Sequence, residues 1–221
     1  MEQALLLSTS GSIFLQPRQK RILATALFAI LWIAAVAVGL RVLFQYENRP
    51  GRIGAIPRTW PTTEVERAAD RPTLVMFVHP HCPCSEASLG ELAKIMARLQ
   101  GRIEAYVLFV KPNATGRDWV DTDLLHDARA IPGVKVVVDA GGKEAGRFGV
   151  ETSGHTFLFG VDGRLLFSGG ITASRGHAGA NVGESSILAL FNQQAPIRSE
   201  TLVFGCPLAH STQTGAKICM K

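Results

Sequence analysis

From Ile22 to Leu40 the chain reads ILATALFAILWIAAVAVGL, a stretch without one charged side chain. At 1.5 Å of rise per residue, about 20 helical residues cross a hydrocarbon core of roughly 30 Å. A helix apolar on every side has no place in a small soluble domain, so this run predicts a membrane span. Arg41 interrupts it, and Val42, Leu43 and Phe44 extend it. The expected span is therefore residues 22–44, preceded by a cytoplasmic segment at 1–21. Arg18, Lys20 and Arg21 before the run favour a cytoplasmic N-terminus, although Arg41, Arg49, Arg52 and Arg58 after it reduce the asymmetry. Ala35-Val36-Ala37 fits a signal-peptidase site, but the long leading segment and the apolar continuation favour an uncleaved anchor.

The formal charge of +5 might point to nucleic acid. The basic residues are scattered, however, and many flank the apolar run; no basic and aromatic patch stands out, so no nucleic-acid partner is expected. Four cysteines in 221 residues are too few for a disulfide scaffold and wrongly spaced for a zinc ribbon. Two of them, Cys82 and Cys84, are nearly adjacent, which points to redox or metal chemistry.

After the span, residues 45–62 are rich in Pro, Gly and Arg without periodicity and read as a linker. Residues 63–194 then alternate between strand and helix patterns. Thr73–Val78 is a short continuous apolar run, as expected of a strand buried on both faces. A helix starts near Ser85, with Leu89, Leu92, Ile95, Met96 and Leu99 on one face. Ile103–Val110 reads as a strand, Asp121–Ala130 as a helix, Val134–Val138 as a strand and Lys143–Phe148 as a brief helix. His155–Val161 and Arg164–Ser168 flank Asp162-Gly163 as a hairpin, and Val182–Gln193 closes as a helix. This order demands a three-layer α/β/α domain with a mixed central sheet. Residues 195–221 form a tail.

That order, with cysteines between the first long strand and its helix, resembles the thioredoxin superfamily. Val136-Val-Val-Asp139, Phe148-Gly-Val150, Thr156-Phe-Leu-Phe159 and Asp162-Gly-Arg164 resemble the membrane-anchored TlpA/ResA-type branch. His79-Pro-His-Cys-Pro-Cys84, Ser168-Gly-Gly-Ile-Thr172 and Arg175-Gly-His177 are also similar to a bacterial family labelled RedB. The resemblance covers about residues 60–193. It implies a single-pass protein of the bacterial inner membrane, its domain facing the periplasm, that exchanges disulfides with exported protein thiols and with a redox partner of its own. Two departures bear on that implication. The usual Cys-x-x-Cys is replaced by Cys82-Pro83-Cys84-Ser85, and His155 stands where the family has a cis-proline.

A cysteine attacks as its thiolate, and an ordinary thiol is mostly protonated at neutral pH. A helix N-terminus stabilises the anion through its dipole and free N–H groups. Cys82 is thus the expected nucleophile and Cys84 the expected resolving thiol, with Cys206 as a longer-range resolver. His81 at the motif, and His155 and Thr156 at the hairpin start, are candidates for activating the thiol or binding substrate. So are Arg175 and His177, because the loop 169–181 should border the cysteines. The alternative for Cys206 is a disulfide with Cys219. No cofactor is needed for thiol exchange. The alternative function is a copper-binding module, in which His79, His81, Cys82 and Cys84 supply soft and borderline ligands for Cu(I). A peroxidase reading wants Thr or Ser three residues before the cysteine, and neither Cys82 nor Cys84 has one.

Overall fold

The computed structural model describes residues 16–208. The chain divides into two units at Tyr46/Glu47. The first is dominated by helix α1, Pro17–Glu47, whose 31 residues have a mean hydropathy of 2.5 in their most apolar window. It is long and apolar enough to cross a membrane, and none of its side chains is buried within the protein.

The second unit is built on a five-stranded sheet: β1 Thr73–Val78, β2 Glu104–Lys111, β3 Val134–Ala140, β4 His155–Phe159 and β5 Leu165–Gly169. The spatial order is β3-β2-β1-β4-β5. β1, β2 and β3 are parallel, and β4 and β5 are antiparallel additions, so the sheet is mixed as expected. The helices are α2 Cys84–Leu99, α3 Asp123–Ala130, α4 Lys143–Arg147 and α5 Val182–Phe191, with a short 3-10 turn at Arg117–Trp119. Each strand and α-helix of this unit lies within two residues of its sequence-derived bounds, whereas the 3-10 turn was not foreseen and α1 extends beyond the expected span 22–44 at both ends.

Strand alternation divides the core into two layers. Leu74, Met76 and Val78 of β1, with Ala105, Val107 and Phe109 of β2, face α2 and meet Leu89, Leu92, Ile95, Met96 and Leu99. Val75, Phe77, Tyr106, Leu108 and Val110 face the other way, onto Phe148, Phe157 and Phe159. Both faces of the central strands are covered, which is why they read as unbroken apolar runs.

The expected linker is not a free tether. Gly51 donates its N–H to the Val203 carbonyl at 2.8 Å, and the Arg52 carbonyl accepts from Thr152 Oγ1 at 2.6 Å. Leu165 N–H donates to Arg58 O, and Trp60 packs edge-on against Phe148 and Phe159 at 5.6 and 5.1 Å. Lack of periodicity correctly denied this segment a helix or strand of its own. It said nothing about whether the backbone would dock, which these hydrogen bonds and the Trp60 ring contacts do.

Candidate functional site

β1 delivers the chain to a tight turn at His79–Pro83. Cys82 N–H donates to His79 O, and Ser85 N–H donates to Cys82 O, both at 3.0 Å. α2 therefore starts at Cys84, with Pro83 as its cap residue and Cys82 one position outside. The turn is tied to the loop before β4 by one side chain. Ser153 Oγ accepts from the His79 N–H at 2.8 Å and lies 2.7 Å from Ser85 Oγ.

The same serine reaches the tail. Ser153 N–H donates to Cys206 O at 2.8 Å, Leu208 N–H donates to Glu151 O at 2.9 Å, and Thr152 forms an antiparallel bridge with Pro207. Main-chain pairing thus lays residues 206–208 beside residues 151–153 and brings the Cys206 thiol onto the motif. All three described cysteines are free thiols, and Cys206 is within hydrogen-bonding reach of both Cys82 and Cys84. Cys219, and with it the expected Cys206–Cys219 pairing, lies outside the described residues.

The charges in this cluster are unequal. Cys82 is only 1% exposed, yet its pKa is driven far below the ordinary thiol value. The hydrogen bond from Cys206 is the main cause, followed by that from Cys84; Ser85 and the Cys206 main chain also donate, while burial opposes. Cys206 is correspondingly pushed far up by its bonds to Cys82 and Cys84, with burial and the Cys82 charge adding to them. At Cys84 the bond from Cys206 pulls the pKa down, as does the nearby Arg175 charge. The bond to Cys82, burial and the Cys82 charge outweigh them, and Cys84 stays protonated above its usual range. Negative charge in the cluster is thus favoured on Cys82 over Cys84 and Cys206.

Of the other expected residues, Arg175 is at the site. Its Nη1 donates to Gly205 O at 2.6 Å and its Nε to Arg49 O at 3.3 Å, so it braces the segment that carries Cys206. His177 is exposed and turns back onto the Arg175 carbonyl, 2.9 Å from Nδ1. His155 is fully buried, stacked on Phe157 at 4.3 Å with Nε2 2.8 Å from Ser168 Oγ. It is a core residue here, and burial lowers its pKa to about 4. Thr156 is equally buried and bonds back to Gly154 O. His81 is exposed, and its Nε2 lies 2.9 Å from Trp119 O.

The copper ligand set is not assembled. His79 Nδ1 accepts from the His81 N–H at 3.2 Å, and both imidazoles pack edge-on against Trp119 at 5.3 and 4.8 Å. Among the described residues no group of three or more His, Cys, Asp or Glu is arranged to hold a metal ion. Trp119, Ser85 and Ser153 are site residues that the sequence reading missed. For Ser85 the signal was available, in its place directly after Cys84.

No protein-family model and no curated protein matches the chain. Solved structures do. A hypothetical protein from Sinorhizobium meliloti 1021 is similar at a TM-score of 0.57 and 16% identity, over 71% of this chain and 97% of that one. An uncharacterized conserved protein from Geobacillus kaustophilus is similar at 0.53 and 15%, over 75% and 94%. An exposed lipoprotein thioredoxin from Streptococcus pneumoniae strain TIGR4 follows at 0.40 and 15%, over 57% and 86%. The strand order, the antiparallel β4–β5 pair and the helix that begins on the cysteine motif decide the architecture. The fold is thioredoxin-like.

Proposed function

We propose that this chain is a membrane-anchored, extracytoplasmic thiol–disulfide oxidoreductase, of TlpA/ResA or RedB type, acting on thiols or disulfides of exported proteins. The observation that supports it most is the convergence of three free thiols, Cys82, Cys84 and Cys206, at the start of α2, with the pKa of Cys82 lowered and those of the other two raised. Thiol–disulfide exchange needs that inequality: one sulfur to attack and a second to complete the transfer. The Cys82 thiolate attacks a substrate disulfide. One substrate sulfur bonds to Cys82 and the other leaves as a thiolate that takes up a proton. A second thiol of this chain, Cys84 or Cys206, loses its proton and attacks the Cys82 sulfur. The remaining substrate thiol is released, and the chain keeps an internal disulfide. Two electrons have moved to the substrate, with one proton from the second thiol and one from solvent, and the reverse sequence oxidises a dithiol. A redox partner resets the pair, and no cofactor takes part.

The test is disulfide exchange by the full chain in detergent micelles. Cys82→Ser should abolish turnover of a model disulfide protein, while the double variant Cys84→Ser/Cys206→Ser, which lacks both candidate resolving thiols, should leave a Cys82 adduct detectable by mass spectrometry. Full turnover by Cys82→Ser would overturn the proposal.

A further inference from the structure

Cys82 is 1% exposed, and the Cys206 side chain and main chain, within the segment 203–208, lie against it. That segment is neither helix nor sheet strand, and it is held by main-chain bonds together with the buried side chains of Val203, Phe204 and Leu208. Val203 O accepts from Gly51 N–H, Gly205 O from Arg175, Cys206 O from Ser153 N–H, and Leu208 N–H donates to Glu151 O. Main-chain bonds of this kind fit any extended chain, and the buried positions of Val203, Phe204 and Leu208 favour apolar side chains at the matching places of an occupant. The tight position is Gly205. A Cβ built there would collide with the Ser153 carbonyl, so the residue before the cysteine must be glycine. Pro207, after the cysteine, has no N–H to leave unpaired.

We infer that residues 203–208 are a detachable strap occupying the substrate groove. The partner is then an extended protein segment whose reactive cysteine is preceded by glycine. It takes the strap's place, and the returning strap delivers Cys206 to resolve the mixed disulfide. This inference rests on the oxidoreductase reading and adds to it the form of the substrate and the identity of the second thiol. The step balances: the Cys206 thiolate, its proton passed to solvent, attacks the Cys82 sulfur of the mixed disulfide. The Cys82–substrate bond breaks, the Cys82–Cys206 bond forms, and the substrate leaves as a thiolate that is protonated. Because strap and substrate use the same groove, re-docking and release are one event.

The test uses the full chain in micelles, carrying Cys84→Ser and Cys206→Ser, with Cys82 labelling followed by mass spectrometry. Three probes are compared: a small aromatic disulfide, a disulfide-activated peptide Val-Phe-Gly-Cys-Pro-Leu, and the same peptide with Leu in place of Gly. The small disulfide should label Cys82. The glycine peptide should react at least about tenfold faster than the leucine peptide, the factor that corresponds to about 1.4 kcal/mol of lost docking. Adding Arg175→Ala, which releases the strap carbonyl at Gly205, should speed the glycine peptide several-fold. In single variants offered the glycine peptide, the mixed disulfide should accumulate with Cys206→Ser and not with Cys84→Ser. Equal rates for the two peptides would overturn the groove, and accumulation only with Cys84→Ser would overturn the resolving role. Failure of the small disulfide to label Cys82 would overturn the oxidoreductase reading itself, and this inference with it.

Discussion

At the scale of single residues, the reactivity of Cys82 is set by its neighbours more than by the helix it precedes. Cys84 occupies the first helical position, where the dipole is felt most, yet it is the protonated one. The leading stabiliser of the Cys82 anion is the Cys206 thiol, about 120 residues away in sequence but directly bonded here. Removing that donor should raise the Cys82 pKa more than removing Cys84 does. Ultraviolet thiolate absorbance followed between about pH 4 and 9 should show one thiolate persisting to the acid end in the unaltered chain. With Cys206→Ala its loss should move toward neutral pH; with Cys84→Ala the movement should be smaller. Identical curves for the two variants would show that the strap thiol does not set the anion. Nothing in local sequence announces this pairing. The Cys-Pro-Cys spacing marks the motif, but the partner depends on how the tail returns to the sheet.

At the scale of elements, the strands and helices were legible because their side-chain periods are local. The unbroken apolar run of β1 and the 3.6-residue face of α2 each follow from which positions must be buried. What stayed illegible was irregular backbone that docks by main-chain bonds: residues 51–60 and the strap at 203–208. The start of β4 shows a subtler miss. His155 reads as a candidate for catalysis, yet its register opposite Phe77 puts it on the sheet with its ring stacked on Phe157. A buried neutral histidine makes this strand sensitive to acid. Burial lowers its pKa to about 4, against an ordinary value near 6.5, so the unfolded chain binds more protons than the native one between those limits. Stability from this group is present above about pH 6.5 and is lost as pH falls through about 4, for a total of about 3 kcal/mol. Denaturant unfolding at several pH values should show that loss, and His155→Gln should remove most of it while the carboxylates titrate alike in both proteins. Parallel pH profiles for the two would show that His155 is solvated.

At the scale of the whole molecule, the two units demand opposite surroundings. α1 presents Phe28, Leu31, Trp32, Ile33 and Phe44 with more than half of each side chain exposed, which water does not tolerate over such a length. The second unit has an ordinary core and a cluster of three free thiols. The basic residues on both sides of the span left the sequence reading of orientation dependent on a small asymmetry, so orientation is the property to measure. In intact cells of a bacterial host, a membrane-impermeant maleimide should modify the site thiols once a mild reductant has opened them, and Cys82→Ser should lower that labelling. The chain should sediment with membranes and resist extraction by high salt, because burial of α1 in lipid is not electrostatic. Labelling only after the cells are broken would place the domain on the cytoplasmic side, where a standing glutathione pool would keep the three thiols reduced.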